Sequence, residues 1–216
     1  VVDVQRTERW FRDAFGFIPA GGTRSFRGWG ARHVQGLPGA ASTCWWLVDR
    51  SEHFQIELFQ FEAPLARLMP PDYRPCDVGY SRVGFWVQDF DQTLARLAAL
   101  GTPPLTAPVG NAGKRRVCVR NPEGVFIEVM EDDPLRGRTG DARPDCKVAA
   151  RSVTLSVVDL EKSKRYFMGA LGMPESTAVL RHREHEALWG LDGASTRSVV
   201  LDAGNVLVEL VQYLDP

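Results

Sequence analysis

The first third of this chain is repeated in its last third. At an offset of roughly 155 residues, Asp3-Val4-Gln5-Arg6, Trp10-Phe11-Arg12 and Phe15-Gly16-Phe17 fall on Asp159-Leu160-Glu161-Lys162, Tyr166-Phe167-Met168 and Leu171-Gly172-Met173. Further on, Gly36-Leu37-Pro38-Gly39-Ala40 and Ile56-Glu57-Leu58-Phe59-Gln60-Phe61 fall on Gly190-Leu191-Asp192-Gly193-Ala194 and Val208-Glu209-Leu210-Val211-Gln212-Tyr213. A chain duplicated in this way is built from copies of one supersecondary unit.

The middle third carries a more divergent copy. Val83-Gly84-Phe85-Trp86-Val87 alternates as a strand, and Phe90, Leu94, Leu97 and Leu100 form a helical stripe that Gly101 closes. Val117 to Val119, the turn Asn121-Pro122-Glu123-Gly124, and Val125 to Met130 read as a hairpin. Asp3, Asp89 and Asp159 stand where a carboxylate can accept the first free amides of each helix, and Gly16, Gly101 and Gly172 stand at the helix ends. Each unit is therefore a strand, a capped helix and further strands. Segments rich in Pro, Gly and charge separate the units, giving modules at 1–66, 78–133 and 149–216.

A chain of 216 residues, 44% hydrophobic and 25% charged, has enough apolar surface for one large core or two ordinary ones. Its net charge of −1, with acids and bases interspersed, supplies no field to gather nucleic acid or an anionic membrane, so small molecules are the expected partners. No apolar run approaches the roughly 18 residues of a membrane span, and no signal sequence is visible, which predicts a cytoplasmic protein. Cys44, Cys76, Cys118 and Cys146 form no C-x-x-C pattern and read as buried reduced thiols.

The strand, the capping Asp, the helix with its aromatic pair, the Phe-Gly-Phe or Leu-Gly-Met ending and the closing Ile/Val-Glu-Leu/Val strand together resemble the modules of the vicinal oxygen chelate superfamily. That is the glyoxalase, bleomycin-resistance and extradiol-dioxygenase group. The resemblance spans nearly the whole chain and implies an α+β fold in which repeated βαβββ modules pair into curved mixed sheets enclosing a cavity. Modules one and two are expected to form a first domain over 1–133, followed by a linker at 134–148. Residues 149–216 are expected to form the first half of a second domain, whose partner module would follow or come from another chain.

In that family a divalent metal sits on one residue from the first strand and one Glu from the last strand of each module. Carried onto this sequence, the resemblance makes Glu57, Glu128 and Glu209 candidate ligands for Fe, Mn, Ni or Zn, with Glu57 and Glu128 as candidate catalytic groups. Strand alternation points these carboxylates away from the helix-facing side. The opening strands depart from the pattern. Arg82 and Ser152 stand where His is usual, and neither is an ordinary metal ligand. Ser152 argues against ring cleavage. Arg82 is placed either against Glu57 or Glu128 in an ion pair, or as the clamp for an anionic substrate group.

Trp86 and one of Trp45 and Trp46, here taken as Trp46, would wall a cavity suited to an aromatic or apolar ligand, with core packing as the competing explanation. His182 and His185 form an H-x-x-H spacing in a run of alternating charge, which reads as a solvated segment in the absence of Cys partners. Lys114-Arg115-Arg116, with Arg120, reads as a solvated basic edge. The leading functional expectation is a lyase, isomerase or dioxygenase acting on a small organic substrate. The alternative is a metal-free protein that binds a drug or metabolite, and a third is a scaffold for a homodimer.

Overall fold

Asp3 is extended, and its carboxylate accepts the Arg6 N–H at 2.9 Å, so helix α1 (Val4–Phe15) starts there; Gly16, at φ 82°, ends it in the left-handed conformation. In this computed structural model, which describes residues 1–138, 140 and 142–215 apart from the side chains of Arg24 and Arg183, α1 is followed by β1 (Ile18–Phe26), α2 (Gly28–Gln35), β2 (Ala41–Val48) and β3 (Gln55–Ala63). These three strands form an antiparallel sheet in the order β1-β2-β3. Val4, Thr7, Trp10, Phe11, Ala14 and Phe15 are the buried positions of α1, one face of a 3.6-residue period.

The second module contributes β4 (Gly79–Val87), α3 (Phe90–Ala99), β5 (Arg116–Arg120) and β6 (Phe126–Met130). Asp89 caps α3 by accepting the Gln92 N–H at 3.0 Å. The third contributes β7 (Val148–Ser156), α4 (Leu160–Lys164) with a π-helical continuation over Arg165–Ala170, a 3₁₀ segment (Arg183–Trp189), β8 (Ser195–Asp202) and β9 (Leu207–Asp215). Asp159 caps α4 through the Lys162 N–H at 2.9 Å.

The second and third modules share one six-stranded mixed sheet, ordered β5-β6-β4-β7-β9-β8. The order is mirrored about an antiparallel seam between β4 and β7, with β4/β6 and β7/β9 parallel on either side. The first module has no strand in this sheet. The connector after β6 returns beside β4, where the Gln88 N–H donates to the Lys147 carbonyl at 2.9 Å, and delivers β7 to the free edge of β4. At the seam Gly84 lies opposite Ser152, and the absent side chain lets the strands close: a Cβ on Gly84 would stand 2.2 Å from Ser152 Oγ.

The first module packs on the apolar face of this sheet mainly through side chains, with one backbone bond from the Arg50 N–H to the Val148 carbonyl at 3.0 Å. Phe85 of β4 meets Phe11, Phe15 and Phe17 edge to face at centroid separations of 6.2, 5.3 and 5.2 Å. Leu47, Leu58, Phe90, Leu97, Val117 and Val129 complete that core. The matching helix of the third module is less well covered. Only Leu160 of α4 is buried and Tyr166 is 58% exposed, because only Leu160, Phe167 and the following Met173 reach the cluster formed by Val199, Leu201, Val208 and Leu210. Among the described residues no helix is long and apolar enough to cross a membrane, and all four cysteines are free and buried.

Candidate functional site

Strand register assembles the site on the face opposite the aromatic core. Gly84 is level with Glu128 on β6 and with Ser152 on β7, Arg82 is level with Thr154, and Thr154 is level with Glu209 on β9. Alternation then turns Arg82, Glu128, Thr154 and Glu209 to one side while Val83 and Phe85 turn to the other. Arg82 Nε donates to Glu128 Oε2 at 3.2 Å and Nη2 to Glu209 Oε2 at 2.6 Å; the Thr154 hydroxyl donates to the same Glu209 oxygen at 2.9 Å. The Arg82 and Glu209 side chains are each 1% exposed.

Two further arginines saturate the outer oxygens. Arg116 Nη1 donates to Glu128 Oε1 at 3.0 Å and to the Leu180 carbonyl at 2.6 Å. Arg181 Nε donates to Glu209 Oε1 at 3.1 Å, and its Nη1 donates to Glu186 Oε1. Trp189, at the end of the 3₁₀ segment, closes over the network: the Arg82 guanidinium lies 3.7 Å and that of Arg181 4.6 Å from its ring centroid. Burial alone would raise the Glu209 carboxyl, but Arg181 and Arg82 outweigh it and hold the pKa below the ordinary value. Glu186 behaves oppositely, since burial raises it and Arg181 offsets only part of the rise. Burial, followed by the charge of Arg116, lowers the pKa of His185 and favours neutral imidazole.

These residues do not fit a divalent metal. A cation lying between Glu128 and Glu209 would have to displace the Arg82 guanidinium, which already bridges them, and every oxygen of both carboxylates already accepts from an arginine. Among the described residues no group of three or more His, Cys, Asp or Glu side chains is arranged to hold a metal ion. The Arg82 guanidinium thus supplies a fixed positive charge between the two carboxylates.

Of the residues singled out from sequence, the structure brings Arg82, Glu128 and Glu209 together. Glu57 is not with them. It lies on β3 in the three-stranded sheet, exposed, accepting from Gln55 Nε2 at 2.8 Å, because the sheet that closes on the second module belongs to the third. Trp46 is level with Glu57 on that same separate sheet. Trp86 lies beneath Arg50, 5.8 Å from its ring centroid. Ser152 packs at the seam, so the hydroxyl level with Arg82 comes from Thr154.

The H-x-x-H segment folds into the 3₁₀ turn, where His185 Nδ1 accepts the His182 N–H at 3.3 Å. The basic edge divides. Arg115 is clamped by Asp91 and Glu131, Arg120 bonds the Pro71 and Tyr73 carbonyls, and Arg116 is buried in the network. Arg181, Glu186 and Trp189 escape a sequence reading, and Arg116, which reads there as part of a solvated edge, is buried. Arg116 alone carried a signal, being two residues from Cys118, which is level with Glu128.

A hollow of about 430 Å³ also lies on the apolar face, lined by Phe11, Leu58, Val83, Phe85 and Ile127 among others. Its buried polar groups are already committed. Glu123 accepts from the Val2 N–H and the Thr7 hydroxyl at 2.8 and 2.6 Å, and Asn121 accepts from the Glu123 and Val125 N–H groups at 3.0 and 2.9 Å.

Comparison with known proteins places this architecture. Maize glyoxalase I is 17% identical with a TM-score of 0.59, over 100% of this chain and 64% of that one. A putative dioxygenase from Bacillus subtilis is 13% identical with a TM-score of 0.56, over 100% and 83%. A glyoxalase family protein from Bacillus cereus is 25% identical with a TM-score of 0.52, over 60% and 86%. The chain spans less than two thirds of the length of maize glyoxalase I. A search of curated protein sequences returns no match. The model of the Glyoxalase/Bleomycin resistance protein/Dioxygenase superfamily matches residues 1–119. With its mixed α and β elements and this match over more than half its length, the chain belongs to that superfamily.

Proposed function

We propose that the unit formed by modules two and three is a metal-independent site for a small organic molecule, of the kind a drug- or metabolite-binding member of the superfamily would use. The observation that carries this reading is the Arg82 guanidinium bridging Glu128 and Glu209, at 3.2 and 2.6 Å. A guanidinium keeps its proton at any ordinary pH and offers no lone pair, so it supplies permanent positive charge without the open coordination positions a Lewis acid needs. The lyase, isomerase or dioxygenase reading gives Glu128 the task of holding an ion or taking a proton. Glu128 and Glu209 are not free, and an acid–base role falls to Glu186, whose proton affinity burial raises. Four reduced, buried cysteines suit a cytoplasmic setting.

Elemental analysis of the purified protein, paired with melting curves in EDTA and in excess Zn²⁺, Ni²⁺, Mn²⁺ or Fe²⁺, tests the reading. No stoichiometric metal and an unmoved melting temperature are expected. One equivalent of metal, lost on Glu128→Gln or Glu209→Gln, would overturn it.

A further inference from the structure

Three half-buried aromatic rings of the first module belong to no core cluster among the described residues: Trp46 of β2, and Phe59 and Phe61 of β3. Register and alternation put them on one face. Trp46 is level with Glu57, and Glu57, Phe59 and Phe61 alternate along β3, so all four side chains leave the sheet on the side opposite Leu47 and Leu58, which pack in the core with α1. Phe59 and Phe61 stack at a centroid separation of 6.1 Å. Trp46 makes no ring contact among the described residues, and the residue level with it on β1 is Gly21, which has no side chain to cover it.

Glu57 supplies the charge amid these rings. It is exposed and forms no ion pair among the described residues. The neutral Gln55 amide donates to its Oε1 at 2.8 Å, and its Oε2 has no hydrogen bond among those residues. An unneutralised carboxylate between aromatic faces is complementary to a cation, and the rings decide which kind. A divalent metal needs several oxygen, nitrogen or sulfur ligands, and among the described residues no group of three or more His, Cys, Asp or Glu side chains is arranged to hold one. A weakly hydrated organic cation needs one countercharge and π faces to receive its alkyl groups. We infer that this face of the first module binds an organic ammonium ion, with its charge on Glu57 and its alkyl groups against Trp46 and Phe59. Those two are diagonal neighbours on adjacent strands, at about 7–8 Å within reach of one bound group. The site is separate from the Arg82 network and stands independently of the metal-independent reading of modules two and three.

Choline and 3,3-dimethyl-1-butanol have the same shape and differ in one positive charge. Titrating the whole protein with each in EDTA, followed by NMR of the indole N–H signals at millimolar concentrations, reads that charge. Choline is expected to bind about tenfold more tightly than the alcohol, the scale of a cation held by a ring face and an exposed carboxylate. Glu57→Gln, at an exposed position, should remove the preference while leaving the unfolding curve unchanged. Trp46→Leu keeps apolar bulk but removes the π face, and should weaken choline more than the alcohol. Equal binding of the two probes, no choline binding, or a preference that survives Glu57→Gln overturns the inference. So does binding of Zn²⁺ or Ni²⁺, in buffer without EDTA, that Glu57→Gln abolishes, since the carboxylate would then be a metal ligand.

Discussion

Arg82 Nη2 and Glu209 Oε2 lie 2.6 Å apart across the β4–β7 seam, so a side chain of the second module is held by a carboxylate of the third. The same guanidinium holds Glu128 of its own module. A buried ion pair adds little net stability over a well-packed apolar alternative, yet removing one partner is costly because the other charge stays buried. The network therefore fixes which modules pair, and in which register, more than it adds to stability.

Arg82→Ala should destabilise the protein by about 3–5 kcal/mol, since Glu128 and Glu209 would face each other with one fewer cation between them. At roughly 2–4 °C per kcal/mol for a chain of this size, melting should fall by about 10 °C. Arg82→Lys should recover part of the loss, as one ammonium cannot bridge both carboxylates with fork geometry. Chemical denaturation of the three proteins measures this, and a loss below about 1 kcal/mol for Arg82→Ala would show that the two acids need no bridge.

What the sequence made legible was local or periodic. The Asp3, Asp89 and Asp159 caps are decided within a few residues, and the shared face of Arg82, Glu128 and Glu209 follows from alternation. Alternation fixes a side chain's face within its own sheet, however, and says nothing about which sheet that face meets. Glu57 has the same alternation on β3, in the other sheet. The partner of β4 depends on the close approach of Gly84 and Ser152, a fit between distant segments that leaves no periodic trace. Arg181, Glu186 and Trp189 lie in or beside a short 3₁₀ turn, where no period marks a buried face, and a run of charge there looks solvated.

Two adjacent arginines in one charge run should behave differently. Arg116 is 4% exposed and bonded to Glu128 and the Leu180 carbonyl, so Arg116→Gln should cost about 3–5 kcal/mol. Arg115 pairs with Asp91 and Glu131 at the surface, so Arg115→Gln should have a small effect that salt reduces further. Urea unfolding of both variants at low and high ionic strength would refute the distinction if the two losses were equal.

Acid should loosen the network through Glu209. Its folded pKa is held below the ordinary 4.5, so it binds fewer protons folded than unfolded near that value. Its contribution to stability is complete above the unfolded pKa and is lost as pH falls through the folded one. Glu186, raised in the folded state, contributes with the opposite sign, and its share is lost as pH rises from about 4.5 through the folded value. Unfolding free energies measured from pH 3 to 7 should show a shallower acid limb for Glu209→Gln and a flatter upper limb for Glu186→Gln. An unchanged acid limb in Glu209→Gln would remove Glu209 from the network's pH response.

Gly84→Ala should cost about 1–3 kcal/mol by overpacking the seam, because the new methyl would meet Ser152 Oγ at 2.2 Å and Met130 Cε at 3.1 Å. Adding Ser152→Ala removes the closer obstacle and leaves the flexible end of a methionine. The double variant should therefore regain most of the loss, a coupling that a double-mutant cycle reads directly. Strictly additive effects would mean that the strands, and not the two side chains, set the spacing.

Trp189 closes over two guanidinium groups while its own indole N–H has no partner among the described residues. These two properties separate by substitution. Trp189→Ala removes the ring and uncovers Arg82, and should cost about 3–5 kcal/mol. Trp189→Phe keeps an aromatic face and deletes a buried donor whose unmet hydrogen bond costs about 1–3 kcal/mol, offsetting much of the area lost with the larger ring. Phenylalanine should thus be tolerated far better than alanine in melting experiments. If the two substitutions were equally damaging, the indole N–H would have to be engaged in solution, and the lid over Arg82 would depend on that bond more than on its π face.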